Sequence, residues 1–210
     1  MSVKEKPRDY QYDLSGGHLA LDFANTVSWR HAPDRNVDHL VSFQDLLSFA
    51  LQTHLISTRE AQSLREHAQL NLAKAAEIVR SAIEIREAFF GAFDSLARGK
   101  AAPPQDMALI EGAALEAMQH RRLLRSNRGY AWQWSEPNNP DRILWSIAQS
   151  AAELLTSPEL NRVRECEAPD CVWLFLDTSR NHTRRWCDMN VCGNREKARR
   201  HYRRHHTQPK

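Results

Sequence analysis

Four cysteines, the whole complement of the chain, stand as two pairs near its C-terminus: Cys166 and Cys171, then Cys187 and Cys192. Four residues separate the members of each pair and fifteen separate the pairs. Two short loops that each offer two soft thiolates converge on one tetrahedral Zn²⁺ without strain. Two disulfides are the alternative. The leader MSVKEKPRDYQYD, however, is polar and charged and lacks the apolar run of a secretory signal, so the chain is expected to be cytosolic, where thiols stay reduced and clustered cysteines bind metal. Four protein ligands fill the coordination sphere and leave no position for an activated water, so the single zinc is expected to be structural.

The residues around the cysteines suggest how the ligands are presented. Val172 to Leu176 reads as a strand, Asp177 to Asn181 as a turn, and Arg185-Trp186 as the start of a second strand. After Cys192 comes GNREKARRHYRRHH, rich in helix formers with no proline before Pro209. A knuckle, a hairpin and a helix whose first turn supplies the last ligand describe a treble clef over residues 161–210. Zinc ligation provides most of the folding energy of so small a module, so replacing Cys187 is expected to unfold 161–210 and leave the body folded.

Residues 1–160 carry enough apolar side chains, in a chain that is 41% hydrophobic, to build a core of their own. Gly16-Gly17 breaks the backbone before Leu19, Phe23 and Val27, which recur at helical spacing. Arg30 to Asp38 is a polar loop. Phe43, Leu46, Leu47 and Leu51 follow on a helix capped by Ser42, and Ser57 with Glu60 has the spacing of a capping box. Residues 72–97 form a helix apolar over so wide an arc that it belongs at the centre of a bundle. Gly99 and Pro103-Pro104 end it, and Met107 to Met118 resumes as another helix.

Tyr130, Trp132 and Trp134 alternate after Asn127-Arg128-Gly129, as in a β-hairpin with an aromatic face. Asn139 and Pro140 are placed to open a last helix, carrying Ile143 to Leu155 and stopped by Ser157-Pro158. The fold class expected is α+β: a predominantly helical domain with a small hairpin, followed by the zinc finger.

Charge is distributed unevenly. From Arg184 onward nine basic residues face two acidic ones, a local charge of +7, so the net +3 of the chain leaves −4 for residues 1–183. A mildly acidic body with a strongly basic end has the footprint of a polyanion binder. On a helix, Arg199, Arg200 and Arg203 share one arc, Lys197 and Arg204 extend it, and Ala198, Tyr202 and His205 fall opposite, where they are expected to pack inward. Double-stranded DNA is the expected partner. Arg184, Arg185, Lys197, Arg199, Arg200, Arg203 and Arg204 are candidates for phosphate contacts, and Asn194 and Arg195 for base reading or zinc support. Neutralising about four to six phosphates predicts a slope of about −4 to −5 in log affinity against log salt.

The run Cys192-Gly193-Asn194-Arg195, within C-x4-C…W-C-x4-C-G-N-R-x-K, resembles the signature of the CGNR zinc finger. Gly17-His18-Leu19-Ala20-Leu21-Asp22-Phe23-Ala24-Asn25-Thr26 is similar to the opening of the ABATE domain that precedes this finger in bacterial stress-induced transcription regulators. The resemblance implies a mixed α and β ABATE domain joined to a treble-clef finger, with DNA binding and transcriptional control as the inferred roles.

His18, Asp22, Asn25 and Thr26 admit two readings: a pocket through which the body senses a small-molecule effector, or hydrogen bonds that fix the fold. The second is preferred, because buried polar groups usually serve structure. Four further histidines, His31, His39, His54 and His67, lack metal-ligand spacing, and no nucleophile elbow, phosphate-binding glycine loop or zinc-protease helix is found, so no enzymatic role is expected. No apolar run is long enough to span a membrane. Two rivals to the DNA-binding reading stay open: an adaptor whose finger docks on an acidic protein, and a ligand-binding body with the finger as a stabilising tail. One finger is a small interface, so useful specificity calls for a homodimer or a second contact.

Overall fold

A computed structural model describes residues 10–206 except Arg128. The leader up to Asp9, Arg128, the side chain of His205 and the final basic residue Lys210 lie outside the described residues. The chain is α+β. Helix α1 (Leu19–Ala24) precedes a short antiparallel pair, β1 (Val27–Ser28) and β2 (Val37–Asp38). Then come α2 (Phe43–Gln52), α3 (Thr58–Leu70), α4 (Leu72–Ala97) and α5 (Pro104–Gln119). The hairpin β3 (Arg121–Ser126) and β4 (Gly129–Trp134) leads to α6 (Arg142–Thr156) and a 3₁₀ turn (Pro158–Arg162). Strands β5 (Val163–Glu165) and β6 (Leu174–Leu176), a π-helical turn (Met189–Gly193) and α7 (Asn194–His206) complete it.

Local chemistry sets most of these boundaries. Ser42 Oγ accepts from the Asp45 amide while the Asp45 carboxylate accepts from the Ser42 amide, and Ser57 and Glu60 repeat the exchange at the start of α3. Gly99, at φ 70°, takes the left-handed conformation that ends α4. The last body helix starts later than expected: Asn139 Oδ1 accepts from the Asp141 amide at 2.9 Å in a preceding turn, and α6 begins at Arg142. Buried Arg142 is drawn to Glu60 and to the carbonyls of Pro137 and Leu55, which holds that turn apart from the helix.

One core runs through α1, α2, α4 and α6, with Phe23, Phe49, Phe89 and Phe93 in edge-on and tilted contacts at 5.5–6.3 Å. Val163, Leu174 and Leu176, from the segment read as the finger, are buried in the same core.

The strand pairing of the finger also departs from the expected hairpin. Val172 takes a left-handed φ of 53°, so the strand starts at Leu174, and β6 pairs antiparallel with β5, Val163 opposite Leu176. Its other edge is taken by the body: Asn25 Oδ1 accepts from the Leu174 amide (2.9 Å), Asn25 Nδ2 donates to the Leu174 carbonyl (2.8 Å), and the Leu176 amide donates to Gly16 O (2.8 Å). With both edges occupied, the segment near Arg185 cannot join; its carbonyl accepts one bond, from the Glu167 amide.

Candidate metal centre and basic helix

The four cysteines are buried, and their sulfurs all lie within 4.8 Å of one another. Cys187 Sγ is 3.7 Å from both Cys171 Sγ and Cys192 Sγ. A disulfide would bring two sulfurs to about 2.05 Å. A tetrahedral zinc with metal–sulfur bonds of about 2.3 Å separates its sulfurs by roughly 3.8 Å, so the arrangement fits the metal and not a bridge. The four residues form a zinc-binding site for one structural ion.

The first pair comes from the loop after β5. The second comes from a turn that Asp188 caps by accepting from the Val191 amide at 2.7 Å, with Cys192 placed just before α7, where the helix dipole favours its thiolate.

Several sequence-nominated basic residues are engaged by this centre. Arg195 donates to Cys192 Sγ at 3.2 Å and stacks over Trp29 at 4.5 Å. Arg199 donates to Asp170 (2.9 Å) and Glu196 (2.7 Å). The Asp170 hydrogen bond raises the Arg199 pKa; burial would raise that of Asp170, but the Arg199 bond, a backbone amide and the charges of Arg199 and Arg195 together hold the carboxyl below its ordinary range. Arg184 is turned inward, donating to the carbonyls of Trp186 and Cys187 and lying 4.6 Å over Phe175. Arg185 pairs with Glu167, and Asn194 Nδ2 donates to Asn190 O at 3.0 Å.

The inward side of α7 therefore carries Arg195, Glu196 and Arg199. Ala198 and Tyr202, expected to pack inward, are exposed. The reason is Asp170, in the knuckle beside Cys171, which draws the arginines toward the zinc and rotates the small and aromatic residues outward. Lys197, Arg200, Arg203 and Arg204 are exposed, and Lys197, Arg200 and Arg204 form no ion pair among the described residues.

His18, Asp22, Asn25 and Thr26 make a hydrogen-bonded seam. His18 caps α1, Asp22 accepts from the Gly16 amide (2.8 Å), Asn25 clamps Leu174, and Thr26 Oγ1 donates to Phe23 O (2.9 Å). Burial pushes the Asp22 pKa up to about 7 despite that amide bond, and lowers the pKa of His18. The cleft nearest the zinc, bordered by Trp29, Trp173, Val191 and Arg195, has about 90 Å³, small against the roughly 300–1,000 Å³ of small-molecule sites.

Sequence reasoning missed the residues that join the body to the finger. Trp173 Nε1 donates to Val27 O at 2.8 Å. Trp29, with φ 58°, is sandwiched between Arg195 and Arg35, whose guanidinium lies 3.6 Å away and bonds Asp170 at 3.1 Å. Within the finger itself, fully buried Asp177 accepts from Ser179 and from the Arg184 amide. Nothing in spacing or periodicity marks Trp29 and Trp173, because their partners across the junction are distant in the chain.

Comparison with known families agrees with this anatomy. The CGNR zinc finger model matches residues 162–205, and the ABATE model, described as "Putative stress-induced transcription regulator", matches residues 17–158. The chain belongs to the ABATE family. Its ABATE region holds α1 to α6, and the CGNR region holds the four zinc ligands and nearly all of α7. Neither is an enzyme family. Among the described residues no helix is long and apolar enough to cross a membrane. No curated protein matches the chain.

Proposed function

We propose that this ABATE protein is a zinc-dependent, DNA-binding transcription regulator of the bacterial cytosol that grips double-stranded DNA with the outward face of α7. The observation that carries the reading is the division of labour on that helix. Arg195, Glu196 and Arg199 tie one side to the zinc knuckle, while Lys197, Arg200 and Arg204 lie on the other and Arg203 is exposed beyond the knuckle, one turn after Arg199. A helix of 13 residues, about 20 Å long, suits a major groove about 12 Å wide. The four exposed cations supply phosphate contacts, which give affinity without sequence information. Exposed Asn194, at the N-terminus of α7, has the position from which recognition helices address base edges. Arg184, Arg195 and Arg199 serve as supports that fix the helix.

The test is selection from a random-sequence DNA pool by zinc-loaded protein at physiological salt, with a variant in which Lys197, Arg200, Arg203 and Arg204 are alanine as the control. A common motif that enriches with the native protein and vanishes with the variant supports the reading. Failure to retain DNA refutes it and favours an acidic protein as the partner of α7.

A further inference from the structure

We infer that α5 and the β3–β4 hairpin form a self-complementary face on which a second copy of this chain docks. Thirteen large apolar side chains are exposed among the described residues, and seven of them lie between Leu109 and Trp132. Nine of the 16 residues of α5 are apolar, yet only Ile110 and Ala117 are buried. A helix apolar around most of its circumference is ordinarily covered on several sides; here Leu109, Leu115 and Met118 face solvent.

The hairpin is equally bare. Its base is anchored, with Arg121 over Trp134 at 4.6 Å and Trp134 against Trp145 at 5.7 Å. Beyond the base, Leu123 and its cross-strand partner Trp132 project on one face and Leu124 on the other, all exposed. A two-stranded ribbon has two open edges and is marginal in water without a covering surface. Between α5, α6 and the aromatic face runs a groove of about 350 Å³, bordered by Met118, Trp132 and Ala152.

Charge selects the occupant. β3 carries exposed Arg125 on the face of Leu123 and Trp132 and exposed Arg122 on the face of Leu124, and neither strand of the hairpin contains an acid. α5 carries exposed Glu111 and Glu116 and contains no lysine or arginine. An acidic partner would satisfy the hairpin and oppose α5, and a basic partner would do the reverse. A second copy turned through a twofold axis lays each hairpin on the other's α5 and satisfies both at once, as an isologous interface requires. The inference stands on this face alone and does not depend on DNA binding.

The test measures mass in solution by light scattering and sedimentation, for the 24.2 kDa chain and two charge-reversed variants. One carries Glu111→Arg and Glu116→Arg, the other Arg122→Glu and Arg125→Glu, with circular dichroism confirming that both fold. The native protein is expected to have twice the mass of one chain, and each variant alone to self-associate at least about tenfold more weakly. Mixing the variants should restore a dimer holding one of each, because each hairpin then meets an α5 of opposite charge. A native chain monomeric at about 100 µM overturns the proposal. So do variants that dimerise as the native chain does, or a mixture that stays monomeric.

Discussion

Removing the zinc should cost the helical body several kcal/mol, and not only the finger, because three side chains of the finger segment are pieces of the body's core. Val163, Leu174 and Leu176 are 1%, 0% and 4% exposed. Burying an aliphatic side chain of this size stabilises by about 1.5–3 kcal/mol, so the three together contribute at most about 5–9 kcal/mol. A domain's net stability is about 5–15 kcal/mol, so losing even half of that contribution leaves the body marginal. Asn25 adds to the effect, since its amide is then left facing the vacated edge of β6. The assay is amide hydrogen exchange of the native protein against protein treated with a strong chelator or carrying Cys187→Ser. Protection in α1, α4 and α6 should fall by at least about 3 kcal/mol, together with loss of protection in β5 and β6. Full protection of those helices in a zinc-free protein whose finger has unfolded would refute the shared core, and would restore the simpler expectation of two independent units.

Two further outcomes follow from the seam. Asn25→Ala removes both hydrogen bonds to Leu174 and leaves a buried amide and carbonyl unpaired, which should lower the unfolding free energy by about 2–4 kcal/mol; a loss under about 1 kcal/mol in urea titrations would show that water or a neighbour replaces the clamp. Asp22 titrates near 7 in the folded protein and near 4 when unfolded, so the unfolded chain releases its proton first as pH rises. Stability should therefore decline between about pH 4 and 7, by up to about 1.4 kcal/mol per unit, and the decline should be absent in Asp22→Asn; parallel pH profiles for the two proteins would contradict the assignment.

What the sequence disclosed was mostly local. The cap at Ser42, the capping box at Ser57, the wide apolar arc of α4 and the alternating aromatics of β4 are short-range patterns, and each marks an element that is present. The zinc ligands were legible for the same reason, as paired spacing within short loops. Misplaced features depend on distant partners. The pairing of β6 is decided by Asn25, about 150 residues away, and by the left-handed Val172, neither of which periodicity registers. The inward face of α7 is chosen by Asp170 against the apolar preference of Ala198 and Tyr202, since Arg199 gains a charge-assisted hydrogen bond there and Arg195 lies 3.8 Å from the same carboxylate.

The measurement that bears most directly on DNA binding is the affinity of zinc-loaded protein for duplex DNA between low and physiological salt. Four exposed cations on α7, with Arg184, Arg195 and Arg199 held internally, predict a slope of about −3 to −4 in log affinity against log salt, shallower than the whole basic tail would give. Removing Lys197, Arg200, Arg203 and Arg204 should flatten it toward zero. A slope unchanged in that variant, or no measurable affinity even at low salt, would contradict the account.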